Sequence, residues 1–228
     1  MRYKLAIFDM DGTILDTLED LKNSTNAALA HFGYPQRTLD EVRTFVGNGM
    51  ENLIRRAAPE GLSREELEPC LYWFKQHYAE HAREHTRPYE GILPLLRHLK
   101  KEGMRLAVVS NKGDFAVQDL CRYYFPGLFD FAAGEREGIR RKPAPDVVLS
   151  VLDELQCRAE EAVYIGDSDV DSATAGNANM DCILVAWGFR PASMLQELQP
   201  VKLVRSPEEI EKFLSLEMKS DTGAVARM

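Results

Sequence analysis

The amino-acid sequence predicts an α/β protein: a parallel sheet covered by helices on both faces, with a helical block inserted after the first strand. Short, largely apolar runs, Leu5–Phe8, Arg105–Val109, Ala162–Ile165 and Cys182–Ala186, alternate with stretches of helical periodicity. Strands that are apolar throughout belong to sheets buried on both faces, and helices between them make parallel crossovers. Residues from about 16 to 86 break this alternation with several helical patterns and no convincing strand.

The elements follow in order. Leu5–Phe8 is the first strand. The block after it carries helical patterns at Leu18–Phe32, Met50–Ala58 and Ser63–His85, with Gly and Pro between them. From Gly91 the pattern reads as the helix Ile92–Lys101, the strand Arg105–Val109, the helix Phe115–Tyr124 and a short strand Phe129–Ala132. The helix Asp146–Leu155, the strand Ala162–Ile165, a helix from Ser172 and the strand Cys182–Ala186 complete it. This divides the chain into a core of residues 1–15 and 87–220, a helical domain of 16–86 and a frayed tail at 221–228 that lacks periodicity. Ile14–Thr17 and the return linker Arg87–Gly91 form the expected hinge.

Composition narrows the function. The chain has 228 residues, 45% hydrophobic, which fits one large domain carrying an insertion. Its formal net charge of −8 and the lack of a basic block argue against nucleic acid or an anionic membrane as partner. The N-terminal apolar run is too short for a signal peptide or a membrane span, so a cytoplasmic protein is expected, as monomer or homodimer. Cys70, Cys121, Cys157 and Cys182 show no Cys-x-x-Cys spacing and read as buried reduced thiols.

Polar clusters fall just beyond the strands, where open α/β sheets collect their ligands. Asp9-Met-Asp11-Gly12-Thr13 follows the first strand. Its four fixed residues would occur by chance with odds on the order of one in a thousand, so turn chemistry alone is a poor account of it. Two carboxylates this close repel unless a proton or cation lies between them, and a divalent metal resolves the conflict. Ser110-Asn111-Lys112 follows the second strand: a hydroxyl and backbone N–H groups there can hold phosphate oxygens, or simply cap the next helix. Arg141-Lys142-Pro143 delivers a compact positive charge ahead of a helix. Gly166-Asp167-Ser168-Asp169-Val170-Asp171 brings a second set of carboxylates, suited to Mg²⁺, although Asp169 and Asp171 also suit a helix N-terminus.

In this order the four clusters resemble the motifs of the haloacid dehalogenase superfamily, mostly phosphatases, over nearly the whole chain. The resemblance implies a Rossmann-like core with a helical cap at 16–86. It implies that Asp9 is the nucleophile, that Asp11 is the acid and base, and that Ser110 and Lys142 hold the phosphoryl oxygens, with Thr13 and Asn111 beside the substrate. It also implies Mg²⁺ held by the side chains of Asp9 and Asp167 and the main-chain carbonyl of Asp11, with Asp171 steadying its water. The acid at position 11 is similar to that of the phosphoryl-transfer members and is missing from the dehalogenases.

Within the helical block, Gly47-Asn48-Gly49 is similar to the loop of phosphoglycolate phosphatases, which implies contact with a small carboxylated phosphate ester. Arg55 and Arg56 follow it, at least one as plain surface charge. His77, His81 and His85 recur every four residues and read as a polar helix flank rather than a metal site. Trp73 and Trp187 read as packing groups, with Trp187 bordering the cleft. The expected substrate is a small phosphorylated metabolite, first 2-phosphoglycolate. A sugar-phosphate mutase and a receiver-like signalling module stay open, the latter having no use for a cap.

Overall fold

The computed structural model describes residues 2–220. The expected frayed tail at 221–228 lies outside them. Six parallel strands form one sheet in the order β5-β4-β1-β6-β7-β8, with β1 Leu5–Phe8, β4 Arg105–Gly113, β5 Phe131–Glu135, β6 Ala162–Gly166, β7 Asp181–Val185 and β8 Lys202–Val204. A separate antiparallel pair joins β2 Leu15–Asp16 to β3 Arg87–Pro88.

Alternation within each strand builds two cores. Ala6 and Phe8 face one side with Leu106, Val108, Val163 and Ile165, beneath α5 Ile92–Lys101, α6 Asp114–Tyr124 and α10 Pro207–Ser220. Leu5 and Ile7 face the other with Ala107, Val109 and Tyr164, beneath α7 Asp146–Glu154 and α8 Asp169–Asn177. Burial on both faces is why the strands read as apolar runs.

Four helices lie between β2 and β3: α1 Leu18–His31, α2 Leu39–Phe45, α3 Met50–Ala57 and α4 Arg64–His81. They enclose a third apolar cluster centred on Leu29, Ile54, Cys70, Phe74 and Tyr78, which also takes in Ala116 and Phe189 from the sheet layer. Thr38 and Ser63 start α2 and α4 with capping boxes completed by Glu41 and Glu66.

Several boundaries differ from the sequence reading, each for a local reason. The helix expected at 63–85 stops at His81 because the backbone N–H groups of His85 and Thr86 turn to the buried Asp20 carboxylate, at 2.8–3.1 Å. Asp20 thereby pins the exit of the helical block to its entry. The strand expected at 105–109 continues to Gly113, with a shift in register against β5 after Val109. The strand expected at 129–132 begins at Phe131, because Phe129 packs against Phe8 and Phe125, while Asp130 bonds Leu106 through backbone and side chain. The helix expected from Ser172 starts at Asp169, since Ser168 caps it. The stretch 16–86 is not wholly helical, as its first residue belongs to β2. α2, α9 Ala192–Glu197, α10 and β8 have no counterpart among the elements expected from sequence, being short, polar or near the end. All four cysteines are free and buried.

Candidate active site

Strand order assembles the site. β1 lies between β4 and β6, and Phe8 pairs in register with Val108 and Ile165. Asp9 and Asp167 therefore follow the ends of two adjacent strands, and Ser110 stands beside them in β4 where its register against β5 shifts, although the three lie far apart in sequence. The cavity above them has about 40 Å³ of room for the centres of water-sized groups. Asp9, Asp11, Ser110, Asn111, Lys112 and Asp167 form its floor, and Gly47, Gly49, Met50, Leu53 and Tyr78 face it from the helices. Lys142 and Asp171 lie behind Asp9, whereas Thr13 and Asn48 are not part of the cavity wall.

Around Asp9 the polar groups are buried and closely matched. Lys142 Nζ lies 2.9 Å from Asp9 Oδ1 and 2.7 Å from Asp171 Oδ1, and donates to Tyr164 Oη at 2.9 Å. Tyr164 Oη in turn donates to Val109 O at 2.9 Å. Burial opposes the Lys142 charge, but Asp171 and Asp9 outweigh it and hold the ammonium well above its ordinary value. Burial pushes the Asp9 carboxyl up to about 6 in spite of Lys142. It raises Asp167 as well, with Asp171 and Asp9 adding to the shift.

Asp171 is fully engaged. Its Oδ2 accepts the backbone N–H groups of Asp167 and Ser168 and the Ser168 hydroxyl, while Oδ1 takes Lys142. Asp171 thus completes the capping box of α8 while its other oxygen faces Lys142 beside Asp9. Asp169 is different: it is more exposed and pairs with Arg190 at 3.5 Å.

The donor set fits a divalent cation. Asp9, Asp167 and Asp171 bring carboxylate oxygens within 4.8 Å of one another, all buried. Three carboxylates against the single Lys142 leave an excess of negative charge, and Asp9 Oδ1 accepts no well-directed hydrogen bond. The loop is cut to the Asp167 carboxylate. A Cβ on Gly12, at φ +80°, would stand 2.4 Å from Asp167 Oδ2, and one on Gly188 equally close. Phe189 N–H donates to the same oxygen at 2.6 Å.

Other residues take places that the sequence did not disclose. Lys112 Nζ bridges both oxygens of Asp11 at 2.8 and 3.1 Å, and Thr17 Oγ1 donates to Asp11 Oδ1 at 2.7 Å. Ser110 is not a helix cap, because α6 starts at Asp114. Asn111 uses its amide on two carbonyls, Gly47 O and Lys142 O, both at 3.0 Å, and so ties the glycine loop to the lysine loop. Arg190 holds that loop from the sheet side, donating to Arg43 O at 3.2 Å and Val46 O at 2.8 Å. By contrast, Arg55 pairs with Glu51 and Arg56 reaches Thr44 and Phe45 carbonyls, both on the surface. Thr13 is wholly buried, and its carbonyl accepts Trp187 Nε1–H at 3.1 Å.

The histidine row also resolves. Trp73, His77 and His81 stack in sequence with centroids 5.1 and 4.1 Å apart, continuing from His31. His77 Nδ1 meets Ser24 Oγ at 3.0 Å and His81 Nδ1 meets Glu84 at 2.6 Å. Glu84 and His85 come near Asp20, whose Oδ1 accepts the His85 N–H and whose Oδ2 accepts the His85 and Thr86 N–H groups. Among the described residues, no helix is long and apolar enough to cross a membrane.

Carboxylates and lysines gathered around the strand ends of a parallel sheet, under a helical layer, make an α/β site suited to phosphoryl groups. The sequence profile of the haloacid dehalogenase-like hydrolases matches residues 6–185, and the chain belongs to that family. It is 31% identical over 208 residues to phosphoglycolate phosphatase 1 of Pseudomonas aeruginosa, covering 88% of this chain and 76% of that protein. It is also 31% identical over 210 residues to the phosphoglycolate phosphatase of Psychrobacter arcticus, covering 89% and 91%. A solved structure of a candidate phosphoglycolate phosphatase from Lactobacillus delbrueckii subsp. bulgaricus superposes with a TM-score of 0.87 at 40% identity, over 93% of this chain and 98% of that one. The chain is thus a phosphatase rather than a receiver-like module.

Proposed function

We propose that the protein is a Mg²⁺-dependent phosphatase of a small phosphorylated metabolite, 2-phosphoglycolate first, acting through an aspartyl-phosphate on Asp9. The observation that carries this is the pairing of two neighbouring carboxylates with different partners: Asp9 beside Lys142, and Asp11 beside Lys112 and Thr17. Environments that differ in this way suit a nucleophile and an acid–base group acting side by side.

An Asp9 oxygen attacks phosphorus while Asp11 gives its proton to the ester oxygen, which leaves as the alcohol. Asp11 then takes a proton from water, the hydroxide attacks the aspartyl-phosphate, and inorganic phosphate departs with Asp9 restored. Lys142, fixed by Asp171 and Tyr164, meets the phosphoryl oxygens as a point charge, and Ser110 adds a hydroxyl. Asn111 acts through Lys142 and Gly47, whose carbonyls it holds. Asp9, Asp167 and the Asp11 carbonyl would hold Mg²⁺, with Asp171 behind them, and the ion would offset the charge of the phosphoryl oxygens. Gly47, Asn48 and Gly49 close residues 16–86 over the substrate as a cap, and the small cavity suits a small ester.

The reading draws on the phosphoglycolate phosphatases among the relatives. A phosphate-release screen over small metabolites tests the substrate, and Asp9→Asn tests the chemistry. That variant should unfold cooperatively at a temperature close to the parent's and release no phosphate above background. Turnover within tenfold of the parent would remove Asp9 as nucleophile.

A further inference from the structure

We propose that Lys112 and Tyr78 form a subsite for a carboxylate on the leaving group, so that the chain selects phosphate esters of small hydroxy acids. This deepens the reading above and rests on it.

Lys112 is a buried ammonium in the cavity wall, its side chain only 2% exposed, and it stands apart from the cluster around Asp9 and Lys142. Tyr78 comes from α4, is fully buried and lines the same cavity, yet its hydroxyl makes no well-directed hydrogen bond among the described residues, with Lys112 as its polar neighbour. A buried hydroxyl left without a partner is costly unless a ligand completes it. Lys112 Nζ stands over the Tyr78 ring, 4.6 Å from its centroid, so the charge and the phenol border the same part of the cavity. Two adjacent donors, one of them charged, match the two oxygens of a carboxylate. Burial pushes the Tyr78 phenol up to about 12, which keeps its proton available for donation.

Position gives the register. Lys112 touches both oxygens of Asp11, the group that serves the ester oxygen in the proposed mechanism. A carboxylate one carbon beyond that oxygen therefore comes within reach of Lys112. Arg190, the other cation bordering the cavity, is held by Arg43 O, Val46 O and Asp169, whereas the Lys112 ammonium keeps a third N–H beyond the two that meet Asp11. Since the chain carries a net charge of −8, an anionic group needs such a local cation. Lys112 belongs to β4 and Tyr78 to α4, so the subsite is complete only while the helices cover the sheet.

The test compares 2-phosphoglycolate with 2-hydroxyethyl phosphate, which keeps the carbon count but replaces carboxylate by hydroxyl. Tyr78→Phe should lower the kcat/KM ratio of the first substrate to the second about tenfold, and Lys112→Met should lower it further. Because Lys112→Met leaves Asp11 without its cation, its melting temperature is measured alongside, and Tyr78→Phe carries the conclusion if it fails to fold. Equal losses on both substrates would overturn the proposal, leaving both residues to act only through Asp11. Calorimetry with glycolate on the Asp9→Asn protein gives a readout independent of turnover. Weaker glycolate binding after Tyr78→Phe supports the subsite, and unchanged binding overturns it. If the parent prefers another carboxylated ester and Tyr78→Phe removes that preference, the subsite stands and only 2-phosphoglycolate falls.

Discussion

Gly12 and Gly188 close around the Asp167 carboxylate, and a methyl group at either position tests whether that carboxylate must stay where it is. A Cβ on Gly188 would approach Asp167 Oδ2 to 2.4 Å and the Gly12 carbonyl oxygen to 2.5 Å, against 3.4 Å for ordinary contact. Relief requires a displacement of about 1 Å, and misplacement on that scale can cost about a hundredfold in rate. Gly12→Ala adds a backbone penalty, because φ is +80° there. A side chain in the left-handed region costs roughly 1–2 kcal/mol. Gly33, at φ +70° with nothing within 4 Å of its would-be Cβ, isolates that backbone part. Gly33→Ala should therefore lower the melting temperature by a few degrees, the equivalent of about 1 kcal/mol in a chain of this size, while activity persists. Gly188→Ala should lower kcat/KM about a hundredfold and raise the Mg²⁺ concentration for half-activation tenfold or more; Gly12→Ala should show both defects. Thermal melts over a Mg²⁺ series, with steady-state phosphate release, separate the two contributions. Parent-like Mg²⁺ dependence in Gly188→Ala, or equal loss of activity in Gly33→Ala and Gly12→Ala, would refute the reasoning.

Two further outcomes follow from the same geometry. Without a cation, burial holds the Asp9 carboxyl at about 6 and raises Asp167, so the folded chain keeps protons that the unfolded chain has released. The stability this confers is full below the ordinary carboxylate range and is lost as pH rises through about 6. Mg²⁺ requires the ionised groups, so 5 mM Mg²⁺ should raise the melting temperature more at pH 8 than at pH 5; an equal or larger rise at pH 5 would contradict the assignment. Replacing Arg190 by Met removes the donors to Arg43 O and Val46 O, and should lower kcat/KM about tenfold and speed hydrogen exchange at residues 42–49. Unchanged exchange there would mean that Arg190 does not hold the glycine loop.

The sequence by itself determined the parallel sheet, the helical insertion and the four polar clusters, three of them directly after apolar runs. Burial on both faces writes β1, β4, β6 and β7 as apolar runs, and the residues after the first three stand out because they are polar. Asp9, Asp11, Ser110 and Asp167 were legible for that reason, and Lys142 because it stands between Arg141 and Pro143 ahead of a helix. Only the tertiary structure decided which clusters meet, because strand order is not a local property: β4 and β6 both flank β1 although about a hundred residues or more separate them from it. The partners of the site residues stayed hidden for the same reason. Lys112 reaches Asp11 across 101 positions of sequence, Tyr78 comes from a helix of the insertion, and Arg190 holds carbonyls 144 and 147 residues away. A lysine or arginine in a loop looks the same in sequence whether it faces water or a buried carboxylate. The distinction arises only when packing removes the solvent and leaves the charge with one neighbour.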